Sequence, residues 1–186
     1  MKANYLFING WLLLFAAGYR SALMGCVGTG TGLAEAGRVT RVVDGDTYDV
    51  LAGGVVYRVR LVGADAPELS QPFGRQAADS VAALLPRGRA VWLRRMGKDV
   101  YGRTLGVVRL PLANGRLVAL DSLLVARGCA WAWAPAHRVA HREAEQLAAQ
   151  QVRRGLWGCD QAAVPPLLWR RFDAATKRRY GAGCWR

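Results

Sequence analysis

The sequence predicts an α+β fold in which a small five-stranded β-barrel carries about three helices. Two patterns indicate this fold: short segments of alternating apolar and polar residues, and alanine-rich stretches with helical spacing between and after them. The length of 186 residues limits the chain to one such domain with short extensions. Because 52% of the residues are hydrophobic and 21% are charged, the chain can bury a core, which excludes a disordered polyelectrolyte.

The strands are predicted from period-two alternation between turn residues. In the third strand, Val59 and Leu61 face one way while Arg58 and Arg60 face the other, since side chains alternate across a strand. Both arginines are therefore expected to stand off the core. The five predicted strands are 38–43, 47–51, 55–62, 90–95 and 103–110.

The helices are predicted from apolar residues at helical spacing, with glycine or proline at their ends. They cover 73–85, 122–127 and 137–153, and one more helix is expected near 167–177. One helix between the third and fourth strands, with the others after the fifth, suits a Greek-key barrel of the OB type.

The amino terminus has the pattern of an export signal. The apolar run 5–18 is too short to cross a bilayer comfortably, and residues 23–26 (LMGC) resemble the lipobox of bacterial lipoproteins, which would make Cys26 a lipidation site. Arg20 is unusual in such a signal, so ordinary cleavage or an uncleaved anchor stays open. We expect export, to the periplasm, to the cell envelope as a lipoprotein, or out of the cell.

The chain is expected to divide into a signal (1–25), a flexible tether (26–37), the barrel domain (38–158) and a basic extension (159–186). An exported chain can form disulfides. Cys129 lies in an apolar stretch and is expected to be a buried thiol, whereas Cys159 and Cys184 flank the extension and are the candidate pair.

Charge points to a polyanionic partner. Lysine and arginine number 26 against 13 acidic residues, for a net charge of +13. A nucleic acid or an anionic membrane is therefore the first partner to consider.

The acidic residues of this basic chain are clustered. Asp44, Asp46 and Asp49 fall within six residues, and Asp65 and Glu68 follow the third strand. Oxygen ligands without nearby cysteine or histidine favour a hard cation, calcium or magnesium. Taken alone, Asp44 and Asp46 also fit a simple hairpin turn.

Two arginines strengthen the chemical interpretation. Arg60 ends the strand whose exit loop carries Asp65 and Glu68, and Arg103 begins a later strand. A metal held by carboxylates polarises a phosphoryl oxygen, arginines bind its other oxygens, and a further carboxylate orients or deprotonates water. Together these groups predict phosphodiester hydrolysis.

Five motifs resemble the staphylococcal nuclease, or thermonuclease, family in order and spacing: VVDGDT (42–47), VRLVGADAPE (59–68), DVYGR (99–103), GCAW (128–131) and GLW (155–157). The resemblance covers about 38–158. It implies a five-stranded OB barrel with three helices. It also implies a calcium-dependent nuclease that acts on DNA and RNA and leaves 3'-phosphates, and we expect a monomer.

The same resemblance implies a metal site. Asp46 and Asp65 match the calcium carboxylates, Ala66 stands where a backbone carbonyl completes the site, and Asp44 would lie just outside the ligands.

It also implies a phosphate site. Arg60 and Arg103 match the pair that grips the scissile phosphate, and Glu68 matches the general base, which could instead mainly position the water. Tyr101 resembles the tyrosine that lines the nucleotide pocket.

Two further pairs of residues, one of tryptophans and one of histidines, leave alternatives. Trp131 and Trp133 could stack on a nucleotide or pack in the core. His137 and His141 are four residues apart on a predicted helix, where solvated side chains are favoured over a metal site.

The strongest rival to the enzyme is a noncatalytic nucleic-acid-binding OB module at the cell envelope. The carboxylates argue against it, because they repel a phosphate unless a cation intervenes. A protein that merely adheres to anionic lipid is a third possibility, and it predicts no metal dependence.

Overall fold

The structure, a computed structural model, describes residues 32–133, 141–159 and 163–181. The predicted export signal, Cys26, His137 and Cys184 lie outside this part of the chain. Within it, no helix is long and apolar enough to cross a membrane.

Five of the strands form a closed barrel. They are hydrogen-bonded in the order β3-β2-β1-β5-β6, and β3 pairs with β6 in parallel, through Arg60 and Leu105 among others, to close it. The predicted OB-type α+β fold is therefore confirmed. The strands of the described residues are β1 (Glu35–Val42), β2 (Thr47–Ala52), β3 (Val55–Leu61), β4 (Gly63–Asp65), β5 (Ala90–Lys98), β6 (Thr104–Pro111), β7 (Leu117–Ala119) and β8 (Trp131–Trp133).

The first strand begins earlier than predicted. Residues 35–37, expected in the tether, belong to β1 and pair with β5. An ion pair between Glu35 Oε1 and Arg95 Nε, 2.8 Å long, fixes that end of the strand. The short strands β4, β7 and β8 were not predicted, because three residues are too few to show alternation.

The barrel interior is filled by the inward faces of the strands and by helices packed across its end. Val59, Leu61 and Leu93 are fully buried there, together with Leu120 and Leu124 of the second helix. The described helices are α1 (Gly74–Leu84), α2 (Leu120–Ala126), α3 (Glu143–Gln151), α4 (Pro166–Arg171) and α5 (Ala174–Gly181), with a short 3-10 helix at Gly155–Gly158.

Two helices differ from prediction. In the described part of its predicted range, α3 starts at Glu143, after nonhelical His141 and Arg142, and its acidic first turn suits a helix amino terminus. The single helix expected near 167–177 is divided into α4 and α5. Phe172 is extended, and Asp173 Oδ1 accepts a hydrogen bond from Thr176 N at 2.7 Å, which caps the new helix.

The cysteines agree with the sequence where they are described. Cys129 is a free, buried thiol, as predicted. Cys159 is disulfide-bonded, and its partner lies outside the described residues. Its pairing with Cys184 stays a prediction.

Candidate active site

One cleft of about 630 Å³ lies beside the closure of the barrel. The structure brings every residue of the predicted metal and phosphate sites to its walls: Asp44, Asp46, Arg60, Asp65, Ala66, Glu68, Tyr101 and Arg103. Asp49 lies elsewhere, in an exposed ion pair with Arg58 whose Nε is 2.8 Å from Asp49 Oδ1. That hydrogen bond lowers the pKa of Asp49.

The turn between β1 and β2 is pinned against the loop that follows β4. Asp46 N donates to Asp44 Oδ1 at 3.0 Å, and Ala66 N donates to Asp46 Oδ2 at 2.8 Å. Gly45 allows this close approach, because a Cβ at that position would lie 2.5 Å from the Ala66 Cβ. The Asp46 carboxylate thereby joins two segments that are twenty residues apart in the chain.

Arg60 lies between the two predicted metal carboxylates. Its Nη1 is 3.0 Å from Asp46 Oδ2, and its Nη2 is 2.6 Å from Asp65 Oδ1. Nη1 also donates to the carbonyl oxygens of Leu61 and Ala64, at 3.0 Å each. Arg60 faces away from the core positions of β3, as predicted, but it is only 7% exposed, because these contacts enclose it.

The carboxylates lie in an environment that disfavours their charge. Burial raises the pKa of Asp46 to about 7, with Arg60 opposing the rise and Asp44 and Asp65 adding to it. Burial also raises the pKa of Asp65, against the lowering effect of Arg60 and then of Arg170. A cation beside these oxygens would relieve the cost of holding both groups ionised.

The donor set suits a hard cation. Two carboxylates, Asp46 and Asp65, and the Ala66 carbonyl could supply oxygen ligands from adjoining segments. In the described residues, no group of three or more histidine, cysteine or acidic side chains forms a metal cage. Water would have to complete the coordination. Arg60 is bonded to the same carboxylates, so a cation and the guanidinium compete for them.

The main chain of Glu68 is held in place by hydrogen bonds to Gln71. Gln71 N donates to the Glu68 carbonyl at 2.8 Å, and Glu68 N donates to the Gln71 side-chain oxygen at 3.2 Å. Helix α1 packs so tightly on this loop that a Cβ on Gly74 would lie 1.9 Å from the Glu68 carbonyl oxygen. These contacts fix the loop that presents the predicted base to the cleft.

Asp99 organises the side of the cleft that carries Arg103. Its Oδ1 accepts from the main-chain N of both Tyr101 and Arg103 at 2.9 Å, and its Oδ2 accepts from Arg103 Nε at 2.7 Å. Although burial pushes its pKa upward, these hydrogen bonds lower the pKa of Asp99 overall. Arg103 Nη1 also donates to Thr47 Oγ1 at 3.4 Å. Asp99 was missed as a site residue, although its place four residues before Arg103 was a usable signal.

The aromatic residues separate into core and cleft. Trp131 is 9% exposed and meets Trp157 edge to face, with ring centroids 5.6 Å apart. Trp133, 39% exposed, lines the cleft with its ring centroid 5.3 Å from Arg60 Cζ. Tyr101 is 81% exposed beside Arg103, whose Cζ lies 5.6 Å from the ring centroid. The two tryptophans are two residues apart on β8, where strand alternation alone does not separate them, so the division comes from their surroundings in the folded protein.

The basic extension also contributes residues to the cleft, which was not predicted from the sequence. Leu167 and Arg170 of α4 line the cleft opposite the barrel. No motif marks either residue. Arg170 and Glu68, its partner in an ion pair, are 102 positions apart in the chain.

A closed five-stranded barrel with buried carboxylates and two guanidiniums in one cleft defines an OB-barrel protein suited to phosphodiester chemistry. The profile of the family described as "Staphylococcal nuclease homologue" matches residues 58–159. The chain therefore belongs to the staphylococcal nuclease homologue family and is a nuclease, a hydrolase of phosphodiester bonds. The matched residues begin after Asp46. The hydrogen bond that Asp46 accepts from Ala66 nevertheless joins Asp46 to them.

Several curated proteins are similar over most of their length. A protein of Escherichia coli O157:H7 named an uncharacterized endonuclease is 39% identical over 134 residues, which make up 72% of this chain and 84% of the relative. A Shigella flexneri protein named micrococcal nuclease is 38% identical over 141 residues, 73% of this chain and 80% of the relative. An Escherichia coli protein named ParB is 41% identical over 141 residues, 73% of this chain and 78% of the relative.

Proposed function

We propose that this nuclease is a calcium-dependent endonuclease that hydrolyses DNA and RNA and leaves 3'-phosphates. One observation carries the proposal: Asp46, Asp65, Glu68, Arg60 and Arg103 line the same cleft. The relatives named endonuclease and micrococcal nuclease support the reaction class.

The two aspartates and the Ala66 carbonyl would hold the cation. When bound, calcium would polarise a phosphoryl oxygen and offset the charge that develops on it. Calcium suits this donor set better than magnesium, because few protein oxygens and several waters make a loose geometry that fits the larger ion.

The chain's own residues supply the remaining chemistry. Arg60 and Arg103 bind the phosphate oxygens and stabilise the transition state. Glu68 accepts a proton from the attacking water, or orients it, while the water oxygen bonds to phosphorus. The bond from phosphorus to the 5' oxygen breaks and that oxygen takes up a proton from solvent, so one product keeps a 3'-phosphate and the other a 5'-hydroxyl.

Exposed aromatic rings support a nucleic-acid substrate. Tyr101 and Trp133 lie at the cleft with accessible faces, on which bases can stack with little regard to sequence. The net charge of +13 would attract the phosphate backbone to either DNA or RNA. We propose that the enzyme acts as a monomer.

The assignment is tested by cleavage assays on the full-length protein. Circular DNA, linear DNA and RNA are incubated with calcium, with magnesium or with a chelator, in parallel with Glu68→Gln and Arg103→Ala. We expect calcium-dependent cutting of all three substrates. The rate should fall by roughly 10² to 10⁴-fold in Glu68→Gln, the usual contribution of a general base.

A matched control is Arg109→Ala. Arg109 is an exposed residue of β6, the strand that begins directly after Arg103, so this variant loses the same charge. It should cut at nearly the wild-type rate. Equal rates in magnesium and calcium would contradict the calcium assignment. Binding of DNA without cutting would support the noncatalytic module instead.

We also propose export, with Cys26 as the lipidation site and 159–186 as a basic extension of the barrel domain. The LMGC motif and the preceding apolar run support this. Mass spectrometry of the mature amino terminus is the measurement, and an unmodified start downstream of Cys26 would exclude lipidation.

A further inference from the structure

The segment 163–171, which contains α4, lies beyond the family-matched residues and yet forms part of the cleft. Leu167 and Arg170 face the cleft from this segment. The site of this protein therefore includes residues that the family match does not cover.

Buried contacts fasten the segment to the barrel domain. Pro166 and Trp169 are buried, and Trp169 Nε1 lies 3.4 Å from Ser70 Oγ, to which it donates. The side-chain amide of Gln71 donates to the Val164 carbonyl. Residues 70–71 lie just after Glu68, so the segment is anchored to the loop that carries the predicted base.

Gln71 links the two main chains directly. Its side-chain oxygen accepts from Glu68 N at 3.2 Å, while its side-chain nitrogen donates to Val164. Gln71 is itself buried. A movement of the segment would therefore be felt at the backbone of Glu68.

The side chains complete the connection. Arg170 Nη1 lies 2.5 Å from Glu68 Oε1, in a pair whose side chains are 51% and 40% exposed. An ion pair this exposed contributes little to folding stability, since solvent screens it. Only Oε1 is engaged by Arg170, which leaves the second oxygen available to a water molecule.

We propose that Arg170 is a positioning residue that holds the Glu68 carboxylate by one oxygen and presents the other to the attacking water. The proposal rests on the catalytic role of Glu68 proposed above. A displaced base is costly, because errors of about 1 Å in catalytic geometry can reduce rates by roughly 10²-fold.

The opposite reading of this ion pair is inhibition, in which Arg170 occupies Glu68 and keeps it from water. The two interpretations predict opposite changes in kcat when Arg170 is replaced. Loss of Arg170 slows the enzyme if it positions the base, and speeds it if it blocks the base.

The experiment measures kcat at saturating DNA and calcium for the full-length wild type, Arg170→Ala, Arg170→Lys, Glu68→Gln and the double variant Glu68→Gln/Arg170→Ala. Arg171→Ala is the matched control, since it removes the same charge from the next, exposed residue of α4. Thermal unfolding of each variant is recorded in parallel. A merely structural role of Arg170 would not make the effect of Arg170→Ala on kcat depend on Glu68.

We expect Arg170→Ala to lower kcat on the order of tenfold, with KM and the melting temperature nearly unchanged. Arg170→Lys should recover most of the loss, because one donor is enough for one oxygen. In the Glu68→Gln background the change at Arg170 should have no further effect, since residues acting as a unit are not additive.

An unchanged or raised kcat in Arg170→Ala, or an equal loss with and without Glu68, would overturn the positioning role. If instead Glu68→Gln cuts as fast as the wild type, the proposed function fails at the base itself. The two failures are therefore distinguished in one set of assays.

Discussion

Arg60 shows how much of a functional residue is set by its immediate contacts. Its position on β3 could be predicted from strand alternation, but its burial could not, because that depends on ion pairs to Asp46 and Asp65 from other segments. Asp46, Asp65 and Arg103 could be predicted because they lie in recognisable motifs. Arg170 could not be predicted, since nothing local marks a contact across 102 positions.

The raised pKa of Asp46 predicts a particular pH dependence of stability in the metal-free protein. The unfolded group has a pKa near 3.8 and the folded group near 7, so the folded protein binds more protons between these values. Stability contributed by protonated Asp46 is present below pH 3.8 and is lost as the pH rises through about 7.

Asp46→Asn removes this dependence. We expect the unfolding free energy of the variant, relative to wild type, to rise between pH 4 and pH 8, as measured by urea denaturation with a chelator. Glu68→Gln is the control, since its side chain is partly exposed. A difference that is constant with pH, or that falls, would contradict the burial of Asp46 as the cause.

At the scale of elements, the five barrel strands were predictable, and the helix ends and the three-residue strands were less so. The two strands that close the barrel, β3 and β6, could be predicted from alternation and turn residues, whereas their parallel pairing is seen in the structure. The division of α4 from α5 depends on the cap at Asp173, and the short pair β4 and β8 exists only because the folded barrel brings them together. Trp131 and Trp133 are assigned to core and cleft by their exposure in the folded protein, which the sequence does not give.

The contact of α1 with the Glu68 loop predicts that Gly74→Ala lowers both stability and activity. The added Cβ would lie 1.9 Å from the Glu68 carbonyl oxygen, so the helix or the loop must shift. Overpacking of this kind costs about 1 to 3 kcal/mol. Urea denaturation gives the stability, and kcat measured well below the melting temperature gives the effect on the base.

Ala82→Gly, at an exposed position of the same helix, is the control for this change. It should cost about 1 kcal/mol through helix propensity and leave kcat near the wild-type value. If Gly74→Ala retains full kcat, the close packing of α1 does not position Glu68.

For the whole molecule, the excess of positive charge governs encounter with substrate. The net charge of +13 was evident from composition alone, but composition could not say where substrate would be cut. That depends on a cleft whose walls come from strands, loops and a carboxy-terminal helix.

We expect the affinity of Glu68→Gln for DNA, measured with calcium present, to fall steeply as salt rises from 50 to 200 mM. Each phosphate contact releases counterions, so the logarithm of the affinity should decrease linearly with the logarithm of the salt concentration, with a slope of about −0.9 per contact on duplex DNA. Fluorescence anisotropy is the measurement. An affinity that does not change with salt would exclude backbone recognition as the main source of binding.

The ion pairs of Arg60 have a consequence for folding in the absence of a metal ion. The guanidinium acts as an internal counter-charge to Asp46 and Asp65, so part of the negative charge of the pocket is offset before any ion arrives. We therefore expect the barrel to fold without the proposed calcium ion. If calcium is the cofactor, as proposed, the protein kept in calcium-free buffer should stay folded and inactive, and addition of the ion alone should start hydrolysis without any refolding lag.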